Sequence, residues 1–447
     1  MILLTLSSEI HIKSPRTRGW FLRVLRENLS RKLASDAPAA RLVKTWDRLY
    51  IEGGDLEAAA TAATECFGIQ RVDVVRAIPL TSLENLSKAV AEVAGARVKG
   101  KTFAVRVQRR GTHGWRSIDA ERLMGHYLYP EAAGVDLTSP EVTIRVHVID
   151  AMAFVVEKSL PGPDGLPLGV QGKTLTLLSG GFDSAVAAWL IMRRGSKTDF
   201  VHFLMDCAQS EHAMAVAYEL CSKWGKGSAP LVHVLDFQPI KEALTRRVDS
   251  RLRQVILKQY MVEAADRLAE NLLVEVLVTG ESVGQVSSQT IEHLVAIDRH
   301  CSKTILRPLA GFTKQEIIAW SRRIGTHDLS ARAKEVCNLA VGPVAVAARR
   351  AELDAARGAM DPGLVGRALE TRKVLAVEDW GPGDPLVRVV SEPPPGVPLF
   401  RAHDRPLPET GPLALVGRSA AHVASRLHKK GREVWVVIEE SPAAVAS

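Results

Sequence analysis

The stretch that decides the fold is Ser179-Gly180-Gly181-Phe182-Asp183-Ser184, which follows the apolar run Thr174–Leu178 and opens a helical pattern over Asp183–Arg193. Paired glycines allow a tight turn that points backbone N–H groups at an anion, and a helix N-terminus adds further N–H donors. Ser179 and Ser184 contribute hydroxyl groups. The stretch therefore predicts a phosphate-binding loop, although turns of this kind also occur without a ligand.

Strands and helices alternate on the C-terminal side of this loop. Predicted strands at Phe200–Met205, Leu231–Phe237 and Glu275–Thr279 are separated by helical patterns. Such alternation is typical of a doubly wound parallel sheet, which binds its ligands at the C-terminal ends of the strands. The polar run Gly280–Thr290 begins at one such strand end. It is predicted to be a second ligand loop, with a merely solvated loop as the alternative.

The first part of the chain has another pattern, in which short strands and helices suit small α+β units. Lys101–Gln108 alternates apolar and polar residues as a half-buried strand does, and Ser117–Tyr127 is predicted to be a helix capped by Ser117. Runs rich in proline and glycine at Pro161–Gly172 and Gly381–Pro398 predict breaks between domains.

Composition excludes several classes of protein. The 447 residues are 46% hydrophobic and 24% charged, which is typical of a folded globular protein and not of a disordered, collagen-like or coiled-coil chain. No run approaches the ~18 apolar residues of a membrane helix, and the N-terminus lacks the apolar core of a signal peptide. Five cysteines without a CxxC pair predict neither a disulfide scaffold nor a structural zinc site. We therefore expect a cytoplasmic protein with reduced thiols.

Basic residues outnumber acidic ones by 58 to 50, a net charge of +8 that permits a polyanionic partner without requiring one. Their distribution is uneven. Ile10–Lys32 carries seven basic residues against the single acid Glu27, and Arg97–Arg116 carries seven with no acid. Solvated faces are the usual explanation of such runs, but two of them in one N-terminal half favour a nucleic-acid partner.

The loop at Ser179–Ser184 resembles the SGGxDS loop of the PP-loop ATP pyrophosphatase superfamily. That resemblance implies cleavage of ATP between the α- and β-phosphates and adenylation of a substrate. Three further stretches, Glu9–Ser14 (EIHIKS), Gly100–Gly111 (GKTFAVRVQRRG) and Gly280–Thr290 (GESVGQVSSQT), match the ThiI family of tRNA 4-thiouridine synthetases in the same order. The chain therefore resembles this family from about residue 1 to about residue 350.

The resemblance implies an α/β multidomain fold. Its parts are a ferredoxin-like α+β domain at 1–60, a THUMP domain at 61–165, a doubly wound PP-loop domain at 166–375 and a degenerate rhodanese-like region at 376–447. In the last region Leu413–Ala420 resembles a rhodanese active-site loop, with Val416 at the position of the cysteine. Valine cannot carry a persulfide, so no role in forming the thiamine thiazole is expected. A plain structural tail is the alternative interpretation.

The activity that the resemblance implies is the synthesis of 4-thiouridine at position 8 of tRNA. ATP adenylates O4 of the uridine, pyrophosphate leaves, and persulfide sulfur from a cysteine desulfurase then replaces AMP at C4. The implied cofactors are ATP and the Mg²⁺ carried by its phosphates. The implied partners are tRNA, bound at its acceptor end and near uridine 8, the desulfurase, and a second copy of the chain in a homodimer.

The family's functional residues map onto this sequence. The predicted catalytic residues are Asp183 and Cys337, with Cys207 as the candidate second thiol. The predicted tRNA contacts are Lys13, Lys101, Arg106, Arg109 and Arg110. The predicted ATP-binding residues are Leu177, Leu178, Ser179, Gly180, Gly181, Asp183, Ser184, Lys258, Gly280 and Gln289. A lone cysteine is more often a buried hydrophobe, and a helical lysine is often only solvated, so these alternatives stay open.

Two other functions fit the same residues. A tRNA-binding protein that adenylates but does not complete sulfur transfer would explain Val416. A PP-loop enzyme that adenylates a sulfur-carrier protein would explain the phosphate loop without any RNA. The intact loop argues against the first alternative, and the basic N-terminal half argues against the second.

Overall fold

The computed structural model describes residues 1–44, 49–205, 207–333, 339, 345–381, 387–390, 392–404, 406–417 and 419–437. The chain divides into two units, Met1–Pro167 and Leu168–Ser447, and the described residues of each build one β-sheet. No helix among them is long and apolar enough to cross a membrane.

The first unit mixes short helices and strands, as the sequence predicts. Its elements are β1 (Ile2–Leu6), α1 (Ser8–His11), α2 (Pro15–Asp36), β2 (Arg41–Lys44), β3 (Leu49–Glu52), α3 (Leu56–Thr64), β4 (Ile69–Pro79), α4 (Leu83–Val98), β5 (Thr102–Arg110), α5 (Ser117–Leu128), β6 (Gly134–Val135), β7 (Val142–Ile149) and β8 (Met152–Pro161). Within the described residues the strand order is β2-β3-β1-β4-β8-β7-β5-β6. Antiparallel pairing of β4 with both β1 and β8 continues the sheet from the predicted ferredoxin-like strands into the predicted THUMP strands.

Helix α2 separates an apolar face from a basic one. The side chain of its N-cap Ser14 accepts a hydrogen bond from the backbone of the first turn. Phe21, Leu25 and Leu29 follow at helical spacing and are buried. The opposite side is exposed and carries Arg23, Arg26 and Arg31.

One predicted helix cap is wrong. Helix α5 does begin at Ser117, but its N-cap residue is Arg116. The Asp119 carboxylate accepts a hydrogen bond from the Arg116 backbone N–H at 2.9 Å. A carboxylate in the first turn therefore closes this helix end in place of the serine hydroxyl that the sequence suggests.

The second unit contains the predicted alternation of strands and helices. Its elements are β9 (Gln171–Leu177), α6 (Phe182–Arg193), β10 (Ser196–Leu204), α7 (Cys207–Trp224), β11 (Leu231–Asp236), α8 (Gln238–Arg247), α9 (Arg253–Asn271), β12 (Val276–Val278), α10 (Ile291–Asp298), β13 (Thr304–Leu306), α11 (Lys314–Ile324), α12 (His327–Ser330), α13 (Arg350–Gly358), α14 (Leu364–Glu370), β14 (Lys373–Ala376), β15 (Val387–Val390), β16 (Leu399–Arg401), β17 (Leu413–Val416), α15 (Ala420–Lys429) and β18 (Val434–Val437).

Among the described residues these strands form one sheet in the order β13-β12-β9-β10-β11-β14-β15-β18-β17-β16. Strands β9 to β13 are parallel to one another. Apolar residues of β9 and β12 pack with α9 in a buried cluster. On α6, the buried ring of Trp189 contacts Trp224 of α7 and Trp320 of α11, with ring centroids 5.3 and 5.1 Å apart. Parallel strands covered by helices confirm the predicted α/β fold.

The C-terminal strands extend this sheet. Strand β14 is antiparallel to both β11 and β15, and β15, β18, β17 and β16 are then parallel to their neighbours. Helix α15 packs on them in a cluster that includes Val374, Leu413 and Ala424. Strand β15 was not predicted, since its four residues lie inside the proline- and glycine-rich run Gly381–Pro398. The rhodanese-like character of residues 376–447 stays a prediction.

Candidate active site

The predicted phosphate loop connects β9 to α6. Gly180 has a φ of +81°, and a Cβ atom there would lie 3.2 Å from both the Ala213 Cα and the His212 ring. Only glycine combines this backbone conformation with so close an approach. Helix α6 begins at Phe182 after the N-cap Gly181, and no side chain caps it. As a glycine, this N-cap residue has no side chain that could compete with an anion for the first amides of the helix.

The two serine hydroxyls brace this loop. The Ser184 Oγ accepts a hydrogen bond from the Ser179 backbone N–H at 3.2 Å and donates to the Gly181 carbonyl at 3.3 Å. The Ser179 Oγ accepts from the Gly181 N–H at 3.3 Å. These hydroxyls therefore hold the shape of the loop.

Asp183 is held by two residues from distant parts of the chain. Its Oδ1 lies 2.7 Å from the Lys314 Nζ, and its Oδ2 accepts a hydrogen bond from the Gln285 Nε2 at 3.0 Å. The Lys314 ammonium group also lies 5.6 Å from the centre of the Phe182 ring. Lys314 and Gln285 were not predicted as partners of Asp183. Only the tertiary fold brings the first residue of α11 to the phosphate loop.

Gly280 lies directly against the first turn of α6. A Cβ atom at this position would come within 2.6 to 2.8 Å of backbone atoms of Asp183 and Ser184. Side chains do not tolerate such distances from backbone, so the position requires glycine. The structure thus brings the predicted site residues Gly280 and Asp183 together.

A buried ion cluster lies at the ends of β12 and β13. The Glu281 carboxylate is 2.9 Å from the Lys258 Nζ, 2.9 Å from the Arg307 Nε and 3.1 Å from the Thr279 hydroxyl, which donates to it. Burial alone would raise the pKa of Glu281, but the two cations outweigh it and hold the pKa below its usual value. The predicted ATP-site residue Lys258 is therefore an anchored cation. Its partner Glu281 and the second cation of the cluster, Arg307, were not predicted.

Two buried amide oxygens of the loop after β12 have no donor. The side chain of Gln289 is 7% exposed, and the Oε1 atoms of Gln285 and Gln289 have no hydrogen-bond partner within the described part of the chain. A buried acceptor without a donor costs about 1–3 kcal/mol. These oxygens can be satisfied by a ligand that brings N–H groups, as an adenine amine does.

The two leucines before the loop, which the sequence predicts to bind ATP, have fewer groups available to a ligand than expected. Leu178 donates its backbone N–H to the Val201 carbonyl at 2.8 Å. Its own carbonyl accepts a hydrogen bond from the His202 Nδ1 at 2.9 Å. Burial lowers the pKa of His202, which keeps this ring uncharged. Both backbone groups of Leu178 thus have partners inside the protein, and Leu177 is the half-buried last residue of β9.

The structure does not describe the side chains of the two cysteines predicted to transfer sulfur. Cys337 lies outside the described residues, and Cys207 begins α7 but its side chain is outside them as well. Burial raises the pKa of the Cys66 thiol to about 12 and that of Cys301 to about 12, so neither is a ready thiolate. The described residues contain no group of three or more His, Cys, Asp or Glu side chains that could hold a metal ion.

The predicted tRNA contacts all lie in the first unit. Lys101 and Arg110 are exposed, and Lys13 is half-buried. Arg106 donates to the Leu137 carbonyl at 2.7 Å. Arg109 lies over a tryptophan, with its guanidinium carbon 5.3 Å from the centre of the Trp115 ring.

The basic run in α2 separates into structural and exposed members. Lys32 is buried and lies 3.1 Å from Asp36 and 2.6 Å from Glu65, so it serves the fold. A surface cavity of about 390 Å³ is lined by other residues of the helix, which are Arg23, Arg26, Glu27, Ser30 and Arg31. The run of charges in the sequence did not distinguish these two groups, because burial of Lys32 depends on Glu65 in the turn after α3.

Known proteins match this chain along most of its length. Family models of the ThiI ferredoxin-like domain, the THUMP domain and the thiamine biosynthesis protein ThiI match residues 1–72, 81–156 and 169–361. A tRNA sulfurtransferase of Desulfurococcus amylolyticus is 37% identical over 383 residues, which cover 85% of this chain and 79% of that protein. This chain belongs to the tRNA sulfurtransferase family.

Other members of the sulfurtransferase family and a solved structure agree. A probable tRNA sulfurtransferase of Aeropyrum pernix is 38% identical over 343 residues, 76% of this chain and 87% of that one. The crystal structure of a 4-thiouridine synthetase–RNA complex with bound ATP is 23% identical, with a TM-score of 0.70 over 83% of this chain and 98% of that chain. It has the same fold. The three family models end before residues 376–447.

Proposed function

We propose that this chain is an ATP-dependent tRNA sulfurtransferase that makes 4-thiouridine at position 8 of tRNA. The observation that carries this proposal is the convergence of Lys314, Gln285 and Gly280 on Asp183 of the phosphate loop. It places the Lys314 cation beside an anion-binding loop in a chain that belongs to the tRNA sulfurtransferase family.

The residues of this site fit a nucleoside triphosphate. Gly180 lets the loop lie close against α7, and the N-terminus of α6, which begins after Gly181, offers its first backbone N–H groups to phosphate. The orphaned oxygen of Gln289 can accept a hydrogen bond from the adenine amine. Mg²⁺ would be carried in by the phosphates and would screen their charge. Asp183 is the carboxylate of the loop, and its present partner is Lys314.

In the adenylation step, O4 of the uridine forms a bond to the α-phosphorus of ATP. The bond from this phosphorus to the bridging oxygen breaks, and pyrophosphate leaves with the electron pair. Negative charge therefore grows on the departing phosphates. We assign Lys314 and Lys258 to stabilise that charge, because both are fixed by carboxylates before the reaction begins.

In the sulfur step, we assign Cys337 to carry the persulfide: its outer sulfur forms a bond to C4, and the bond from C4 to the oxygen of AMP breaks. The second thiol then attacks the Cys337 sulfur, so the S–S bond breaks, 4-thiouridine leaves, and a disulfide between the two cysteines remains. The nearest described residue after Cys337 is Leu339, whose N–H donates to the Gln254 Oε1 at 3.4 Å. Gln254 lies one helical turn before Lys258 on α9, so the two share a face of the helix. Cys207 is proposed as the second thiol and a cysteine desulfurase as the donor. An unchanged yield of 4-thiouridine from Cys337→Ser with a persulfide donor would refute this assignment.

The first unit is proposed to bind the tRNA. Its exposed arginines and lysines suit contacts to phosphate groups, which recognise folded RNA by shape. The exposed side of α2 adds Arg23, Arg26 and Arg31 to the predicted contacts.

The test is a nucleoside analysis of unmodified tRNA after incubation with the full chain, ATP, Mg²⁺ and sulfide, which bypasses any protein sulfur donor. We expect 4-thiouridine, and none when position 8 of the tRNA is cytidine. tRNA-dependent release of pyrophosphate without 4-thiouridine would favour the alternative in which sulfur transfer is lost. The proposal would be refuted if neither pyrophosphate nor 4-thiouridine were formed.

A further inference from the structure

His293 on α10 is completely buried, and each of its ring nitrogens has one partner. The Nδ1 atom lies 2.6 Å from the Ser287 carbonyl oxygen, and the Nε2 atom lies 3.0 Å from the Ala348 backbone nitrogen. A carbonyl oxygen only accepts and a backbone N–H only donates. The Nδ1 atom therefore carries the ring hydrogen, and the Nε2 atom accepts through its lone pair.

The two partners of His293 belong to different parts of the proposed site. Ser287 begins the 3-10 turn Ser287–Gln289 in the loop after β12. The same loop supplies the Gln285 amide to Asp183 and the orphaned oxygen of Gln289. A displacement of Ser287 therefore moves the residues that we assign to the nucleotide.

The other partner lies on the segment that follows Cys337 in the chain. Ala348 stands between that cysteine and α13, and the backbone N–H of the nearby Ala345 donates to the Arg251 carbonyl at 3.3 Å. One imidazole thus contacts both the nucleotide loop and the segment that leads back to the proposed sulfur residue.

We infer that His293 is a positioning residue that sets the nucleotide loop and the chain at Ala348, which follows Cys337 in the sequence, relative to each other. The inference rests on the proposed function for its consequences but not for its geometry. The ring is completely buried, so it acts through Ser287 and Ala348 and not on substrate. A side chain can make both hydrogen bonds only if it has a donor at the distance of Nδ1 from Cβ and an acceptor at the distance of Nε2 from Cβ.

Three variants separate the two bonds. In His293→Asn the amide nitrogen is two bonds from Cβ, as Nδ1 is, so the hydrogen bond to Ser287 is kept and that from Ala348 is removed. In His293→Gln the amide oxygen is three bonds from Cβ, as Nε2 is, so only the hydrogen bond from Ala348 is kept. His293→Leu removes both. Ile297→Ala, also fully buried on α10, is the matched control that removes packing but no hydrogen bond.

The Asn and Gln variants are expected to change different quantities, the ratio of products in one case and the KM for ATP in the other. A single buried hydrogen bond is worth enough to change a rate or a KM about tenfold. For His293→Asn we expect an unchanged KM for ATP in tRNA-dependent pyrophosphate release, and about tenfold less 4-thiouridine per pyrophosphate. For His293→Gln we expect the reverse, a KM for ATP raised about tenfold with the normal ratio of products. His293→Leu should show both defects.

The inference is overturned if the Asn and Gln variants share one profile, or if Ile297→Ala reproduces the split between KM and product ratio. Amide hydrogen exchange at Ala348 tests the bridge independently of any activity. Exchange should be slow in the original chain and in His293→Gln, and fast in His293→Asn and His293→Leu. Equal exchange in all four chains would overturn the bridge. Absence of 4-thiouridine from the original chain, with this exchange pattern intact, would instead count against the proposed function.

Discussion

Two strand–glycine–helix turns of the second unit can be compared within its described residues, and functional groups surround the first of them. The first joins β9 to α6 through Gly180, and the second joins β17 to α15 through Gly417. Both glycines have positive φ, +81° and +103°, and neither helix has a side-chain cap. Yet a Cβ atom on Gly180 would meet α7 at 3.2 Å, whereas one on Gly417 would meet none of the described residues within 4 Å.

The difference shows that a helix N-terminus after a glycine turn is not by itself a site. Around the first turn, Lys314 and Gln285 come from distant parts of the chain and hold the Asp183 carboxylate, and Gly280 lies against the Asp183 backbone. At the second turn, the residue in the predicted cysteine position is Val416, which packs with an apolar cluster that includes Trp435. We therefore expect catalysis to depend on the first turn and to be insensitive to the second.

The largest expected effect is that of Asp183→Ala. It leaves Lys314 without its anion and the phosphate loop without its carboxylate, so tRNA-dependent pyrophosphate release should fall by about 100-fold or more. Binding of tRNA should stay unchanged, because the proposed contacts belong to the other unit. Pyrophosphate assays and filter binding measure the two quantities. Equal loss of both would contradict the division of labour between the units.

Next in size is the effect of Glu281→Gln on stability. The change leaves the largely buried Lys258 without its carboxylate and leaves Arg307 with Asp298 alone, so the free energy of unfolding should fall by about 3–5 kcal/mol. Denaturant titration measures it. The matched control is Glu242→Gln, which removes an exposed pair with Arg246 and should cost less than about 1 kcal/mol. Similar losses from both variants would show that the ion cluster is not anchored as described.

The same carboxylate predicts a pH dependence. The pKa of Glu281 is lower in the folded chain than in the unfolded one, so its stabilising contribution is complete above its usual pKa. The contribution is lost as the pH falls through the lowered folded value. Acid should therefore reduce the free energy of unfolding more in the original chain than in Glu281→Gln. Parallel pH curves for the two chains would contradict this assignment.

A pair of glycine substitutions sharpens the comparison directly. Gly280→Ala forces a Cβ into the backbone of α6, which should cost about 1–3 kcal/mol of stability and disrupt ATP-dependent activity. Gly417→Ala meets open space and should cost only the roughly 1 kcal/mol of a residue strained at positive φ, with activity intact. Thermal unfolding and pyrophosphate release distinguish the two. Activity lost in Gly417→Ala would give the second turn a function that we do not assign to it.

The smallest expected effect extends the comparison to the first unit. Replacing Arg109 and Arg110 by Ala should weaken tRNA binding and flatten the dependence of its affinity on salt concentration, by about one unit of slope for each phosphate group that the variant no longer neutralises. Pyrophosphate release at saturating tRNA should stay normal. Binding isotherms over a series of salt concentrations provide the measurement. An unchanged slope would exclude these arginines as phosphate ligands.

Local chemistry was predictable from the sequence, and long-range pairing was not. The phosphate loop follows from neighbouring residues, because a strand, two glycines and a helix are contiguous. Gly280 was predicted from the resemblance of Gly280–Thr290 to the family. Its close approach to the Asp183 backbone explains physically why a glycine is needed there. Lys314 and Arg307 carry no local signal, since their partners are far away in the chain.

Two further differences between the sequence-based predictions and the structure arise from burial. Lys32 in the predicted basic run pairs with Asp36 and Glu65. The backbone of Leu178, a predicted ATP-binding residue, has its partners in Val201 and His202. Neither pairing can be deduced from a run of charges or a strand pattern. Strand β15 was missed for a different reason, since four residues between prolines and glycines give too short a period to recognise.

The phosphate-loop site is proposed above all to adenylate the uridine oxygen of tRNA. A single turnover with tRNA that carries ¹⁸O at O4 of uridine 8, together with ATP, Mg²⁺ and sulfide, tests this claim most directly. We predict that the heavy oxygen leaves the tRNA and appears in AMP, in step with the formation of 4-thiouridine. AMP that contains only ordinary oxygen, while 4-thiouridine still forms, would contradict the claim.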